Sequence, residues 1–167
     1  MLKKILSGGQ TGADQAALDA AIKNNIPHGG AIPKGRMTEN GVLPEKYNLE
    51  EMATKSYPKR TEKNVIDGDG TVIFSHGKLT GGSLLTQEKA VEHGKPVLHL
   101  DLISTDIGGA VRTLQQFIQD YNIEILNVAG PRASEDEKIY GTVFEMVNGL
   151  FLSKNMASVG LPDNRVD

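Results

Sequence analysis

The sequence predicts an α/β protein: a single-domain three-layer αβα sandwich with a mainly parallel sheet of about five strands. Two observations lead there. Short apolar runs rich in branched residues alternate along the chain with longer runs whose apolar positions recur at three and four, the pattern of strand and crossover helix repeated. Glycines number 19 in 167 residues, above the usual ~7%. They cluster as Gly8-Gly9, Gly29-Gly30, Gly81-Gly82 and Gly108-Gly109, each where an element begins or ends.

The first strand holds Ile5 and Leu6 and feeds Ser7-Gly8-Gly9-Gln10-Thr11-Gly12, behind which a helix runs over 13–23. A glycine turn opening a helix presents unpaired N–H groups and the positive end of the helix dipole, an arrangement that seats anions. Asp14 falls in the first turn of that helix. Asn24-Asn25 stops it, and 26–32 reads as the second strand. Pro33-Lys34-Gly35-Arg36 then opens a polar connection that runs to about Lys59, with a short helix near 49–53. Connections of this length usually serve as lids or binding loops. Lys34 and Arg36, directly after a strand end, are candidate ligand contacts.

Residues 60–65 read as one or two helical turns with Thr61 as the N-cap. Asp67-Gly68-Asp69-Gly70 is a turn, and 71–74 is a buried strand. Thr80-Gly81-Gly82-Ser83 opens a helix that runs to His93, closed by Gly94 with Pro96 beyond. A strand at 97–100, a helix at 110–121, the last strand at 123–129 and a helix at about 135–151 complete the alternation. Residues 1–152 form one Rossmann-like domain, and 153–167 form a polar tail.

Lys plus Arg is 18 and Asp plus Glu is 21, a net charge of -3. Without a basic block the chain is a poor candidate for nucleic-acid binding. Cysteine is absent, which excludes disulfides, thiolate metal sites and cysteine nucleophiles. His28, His76, His93 and His99 show no metal-ligand spacing, and Asp67 with Asp69 reads as turn chemistry. No directly ligated metal is expected. No apolar run approaches a membrane span and none has the form of a signal peptide, so the expectation is a cytoplasmic protein away from membranes. Ser7 and Ser83 have no histidine nearby in sequence to activate them.

Ligands of open parallel sheets bind past the carboxyl ends of the strands, where strand order reverses. The residues after each strand therefore form the site list. They are Ser7, Gly8, Gly9, Gln10, Thr11 and Asp14; Lys34, Gly35 and Arg36; Gly81, Gly82, Ser83 and Thr86; and Gly130, Pro131, Arg132, Ser134 and Glu135. Several helix N-termini converging with a lysine and two arginines point to a phosphate-bearing ligand.

S-G-G-Q-T-G-A-D (7–14), P-K-G-R (33–36), R-T-x-x-N-V (60–65), D-G-T (69–71) and T-G-G-S-x-x-T (80–86) together resemble the molybdenum carrier family. That family lies within the SLOG superfamily of YpsA-like and LOG-like Rossmann domains. The resemblance spans about 2–151. It implies a nucleotide-related ligand over the glycine loops or the molybdenum cofactor, a phosphate-bearing pterin dithiolene. It adds Arg60, Thr61, Asn64, Asp69 and Thr71 to the implied binding positions, and a homo-oligomer is expected. The alternative is a LOG-like phosphoribohydrolase that cleaves nucleotide N-glycosidic bonds. The P-G-G-x-G-T-x-x-E signature of those enzymes departs here to T-G-G-S-L-L-T-Q-E (80–88), so Glu88 matches imperfectly, and Glu135 is a second candidate acid. A third reading is a nucleotide-sensing domain.

Overall fold

The computed structural model describes residues 1–158, with side chains through Leu152. In chain order the elements are β1 (Lys4–Leu6), α1 (Ala13–Lys23), β2 (His28–Gly29), β3 (Ala31–Ile32), β4 (Met37–Thr38), β5 (Gly41–Val42) and β6 (Glu50–Glu51), then α2 (Tyr57–Asp67), β7 (Gly70–Ser75), α3 (Gly81–Glu92), β8 (Val97–Asp101), α4 (Ile107–Asp120), β9 (Ile125–Ala129) and α5 (Ile139–Ser158). The remainder of the polar tail, 159–167, lies outside the described residues.

Five strands form one sheet in the order β2-β1-β9-β7-β8, and every pairing is parallel. This is a Rossmann-like α/β fold. If β9 and α5 are counted first, the order becomes 3-2-1-4-5, the doubly wound arrangement. The chain therefore carries that sheet with its first strand and helix moved to the end. The reversal of strand order lies between β9 and β7.

Alternation along the strands sorts the two faces. Val72, Phe74, Leu126 and Val128 join the main apolar cluster with residues of α1, α4 and α5, including Ala16, Leu114 and Met146. The other face is covered by α2 and α3, which pack against each other. That face is leaner and more polar: Thr71, Ser75 and Asn127 are all buried in the strands. A cavity at the carboxyl end of the sheet opens here, where small polar side chains leave room between sheet and helices.

Several boundaries differ from the sequence expectation. The second strand is split: β2 joins the main sheet, while β3 turns away and pairs with β6. Gly30 makes the break; its φ is +131, and a Cβ there would sit 1.9 Å from the Ser7 carbonyl oxygen. The expected short helix near 49–53 is the strand β6 instead. The α2 helix starts earlier than Thr61. Ser56 is its N-cap, with its hydroxyl accepting from Lys59 N at 3.3 Å, and a proline sits in the first turn. The α4 helix begins at Ile107, capped by Asp106, whose carboxylate accepts from Gly109 N at 2.6 Å. The connection between β3 and α2 is folded over its own small core of Leu18, Ile32, Leu43, Tyr47 and Leu49.

Candidate functional site

The cavity at the strand-order reversal has a volume of about 80 Å³ and is walled by the segments after β1 and β9, the start of α3 and one side of α2. The start of α3 supplies its donors. Thr80, the N-cap, makes no side-chain capping bond, and the first helical hydrogen bond there runs from Leu84 N to the Thr80 carbonyl at 3.3 Å. The N–H groups of Gly81, Gly82 and Ser83 precede that bond and remain free among the described residues. Gly82, Ser83 and Thr86 line the cavity. Ser83 is 8% exposed and its hydroxyl makes no protein hydrogen bond, whereas the Thr86 hydroxyl donates to the Gly82 carbonyl at 2.8 Å.

Two arginines line the same cavity as this helix start. Arg60, on α2, donates from Nη1 to the Gly8 carbonyl at 2.6 Å, and its guanidinium lies 5.4 Å from the Tyr57 ring centroid. A Cβ at Gly8 would lie 2.0 Å from that same nitrogen, so only glycine allows Arg60 this approach. Arg132, after β9, has Nε 3.6 Å from Glu135 Oε1, and both residues line the cavity. Thr61 and Gly130 also line it.

The loop after β1 behaves differently from the sequence expectation. Three of its N–H donors are already taken inside the protein. Gly9 N donates to Ser7 Oγ at 3.3 Å, Gln10 N to Asp14 Oδ2 at 3.3 Å, and Thr11 N to the Gln10 side-chain oxygen at 3.0 Å. Asp14 thus occupies the place that an anion was expected to fill. Burial pushes its carboxyl up to about 6, against the attraction of Arg60, the loop N–H bonds and Arg132. Gly8, Gln10 and Asp14 still line the cavity, and the start of α3 adds the N–H groups of Gly82 and Ser83, which have no partner among the described residues.

Other residues singled out in the sequence lie elsewhere. Arg36 is a loop staple: its guanidinium donates to the carbonyls of Leu49 at 3.2 Å, Tyr47 at 3.1 Å and Pro44 at 3.3 Å. Lys34 is exposed on the same excursion, outside the cavity wall. Asp69 sits at the amino end of β7, the opposite end of the sheet, and accepts from Glu124 N and Ile125 N at 3.0 and 2.8 Å. Its role is to start the β7–β9 pairing. Thr71 is buried and accepts from the Asn127 carboxamide at 3.2 Å. Asn64 faces the cavity but holds β3, exchanging two bonds with Ala31: N–H to Oδ1 at 2.7 Å and Nδ2 to carbonyl at 3.1 Å. Ser7, Gly9 and Thr11 shape the loop, with Thr11 bonded to Glu39 and accepting from Ala133 N at 3.1 Å. Gly81 lies just outside the wall, and Glu88 is exposed further along α3.

Asn127, Val128, Ala129 and Pro131 complete the wall. Of these, Asn127 had a readable signal, since a carboxamide inside the apolar strand Ile125–Ala129 is out of pattern unless the sheet faces something polar. Among the described residues no group of three His, Cys, Asp or Glu side chains could hold a metal ion, and no helix is long and apolar enough to cross a membrane.

A family model for the circularly permutated YpsA SLOG family matches residues 5–151, consistent with the displaced β9–α5 unit. The chain is also similar to a crystal structure from Syntrophus aciditrophicus SB described as "Putative molybdenum carrier protein". The two are 52% identical over 90% of this chain and 95% of that one, with a TM-score of 0.88. No curated protein matches the chain.

Proposed function

The chain belongs to the circularly permutated YpsA SLOG family, and from that premise we propose that it binds and carries a small phosphate-bearing ligand at the cavity between α3 and Arg60. The observation that carries this reading is the uncapped start of α3, with the free Ser83 hydroxyl, in a cavity that Arg60 and Arg132 also line. Free N–H groups, a helix dipole and arginine forks are together the ordinary recognition set for a phosphate. A cavity of about 80 Å³ suits one such group, leaving the rest of the ligand outside it.

The neighbour's description suggests the molybdenum cofactor as that ligand. Its terminal phosphate fits the donors present, which are Arg60, Arg132 and the first N–H groups of α3. Its metal finds no thiolate here, because the chain has no cysteine, and in this reading it travels as cargo on the cofactor's own sulfurs. A nucleoside monophosphate satisfies the same seat. The hydrolase alternative rests on Glu135, which lines the cavity, and no longer on Glu88.

The test is a thermal-shift series with molybdenum cofactor, nucleoside monophosphates and inorganic phosphate, assayed in parallel for released base. A ligand at 100 times its Kd adds about 2.7 kcal/mol of stability, a rise of several degrees in Tm. A shift with cofactor and no released base supports the carrier. A nucleotide shift that decays as free base appears makes the protein a hydrolase. No shift with any of them overturns the anion seat.

A further inference from the structure

A second cavity of about 110 Å³ adjoins the first and shares Ser83, Pro131 and Glu135 with it. Its distinctive feature is a histidine–carboxylate pair. His76 Nδ1 lies 2.6 Å from Asp136 Oδ2, with side chains 26% and 17% exposed, and both residues line the cavity. A carboxylate only accepts, so Nδ1 carries a proton, and in the neutral form of the ring Nε2 is an acceptor. The Nε2 atom has no partner among the described residues.

The pair is rigidly mounted. Ser75 donates to the Gly77 carbonyl at 2.6 Å, and Gly77 N donates to Asp101 at 2.9 Å. The turn that presents His76 is therefore fixed on both sides, and Asp136 fixes the tautomer. A structural clamp across the strand-order reversal would need the Nδ1 bond alone. It would not need a ring whose other nitrogen is free in a cavity that opens onto the phosphate seat.

We propose that this second cavity is the subsite for the organic part of the ligand, with His76 Nε2 accepting a hydrogen bond from a ring N–H. The ligand class is a phosphate monoester of a lactam heterocycle, a guanine-type or pterin-type ring, spanning both cavities with the Ser83 hydroxyl at their junction. This rests on the phosphate reading of the first cavity.

The experiment is calorimetric titration of the whole chain with inorganic phosphate, ribose 5-phosphate and guanosine monophosphate, on wild type, His76→Ala and Asp136→Ala. One added hydrogen bond in a partly dry site is worth about tenfold in affinity. Wild type is expected to bind guanosine monophosphate about tenfold more tightly than ribose 5-phosphate. Both variants are expected to lose that margin while binding ribose 5-phosphate as wild type does, which also shows that they fold. If either fails to fold, His76→Phe, which keeps a ring in the turn without an acceptor, takes its place and is expected to lose the same margin. A wild type with no preference for the base, or variants that keep the preference, overturns the subsite and leaves the phosphate seat standing. Failure of wild type to bind phosphate in any form overturns both.

Discussion

Asp14 is the residue on which the proposed chemistry of the site turns, because it is a buried carboxyl beside Arg60 and Arg132, the arginines proposed to take the anion. Its folded-state value of about 6 lies above the ordinary 3.8, so the folded protein holds this proton more tightly than the unfolded chain. The contribution of Asp14 to stability therefore falls as pH rises from about 4 to about 6 and stays low above that. Asp14→Asn keeps an acceptor for Gln10 N and removes the penalty. The variant is expected to gain stability relative to wild type above pH 6, by up to about 3 kcal/mol, and to match it near pH 4. Urea titrations at pH 4.5 and 7.5 measure the difference. The same carboxylate opposes a bound anion, so sulfate, which keeps its charge throughout, is expected to bind wild type more tightly as pH falls through 6. For Asp14→Asn the sulfate affinity is expected to be flat with pH. The acidic residue at the start of α1 was legible in the sequence. Its capture of the loop N–H groups was not, because that depends on a side-chain rotamer and on how closely Arg60 packs against Gly8. Arg36 and Asp69 teach the same lesson. Residue type and place after a strand made them candidates, yet backbone carbonyls and strand-end N–H groups claimed them first.

At the scale of elements, α2 and the excursion before it determine whether the cavity has a wall. Asn64 ties α2 to β3 through both ends of its carboxamide, so removing it strands a buried N–H and a buried carbonyl. Asn64→Ala is expected to cost about 2–4 kcal/mol in urea unfolding and to weaken anion binding by displacing Arg60. The β4–β5 hairpin is latched differently, through the exposed Glu39, which accepts from Ser134 Oγ at 2.5 Å and Ser134 N at 3.1 Å. Those hydroxyls hold its carboxyl below the usual range, Ser134 first and Thr11 second. Glu39→Gln is expected to speed hydrogen exchange in 37–42 while leaving β7 and β9 protected. Exchange unchanged in that hairpin would show that Glu39 is no latch. The long strand-and-helix runs were legible because their apolar periods are strong. The excursion was not. Its two-residue strands carry too little pattern to register, and Ser56 as N-cap lies one turn before the segment whose motif drew attention.

At the scale of the molecule, the sheet order makes the chain a doubly wound domain whose first strand and helix come last. Helix α5 returns from the carboxyl end of β9, and its 20 residues span roughly 30 Å. That carries it past the amino end of the five-residue strand, the end at which β1 begins. A circular permutant opened between Tyr121 and Asn122, with a flexible linker joining Asp167 to Met1, is expected to fold with an unchanged circular dichroism spectrum. The alternation of elements was legible in the sequence, but the strand order was not, because parallel pairing is set by which helix faces the sheet and leaves no mark in a single strand. The proposed anion seat at α3 lies at the reversal between β9 and β7. The most direct measurement is a crystal soaked in tungstate and read by anomalous scattering. The strongest peak is expected between the N–H groups of Gly82 and Ser83 and the guanidinium of Arg60, and to vanish in Arg60→Ala. A strongest peak at the Gly8–Thr11 loop or on the open surface, with none at α3, contradicts the account.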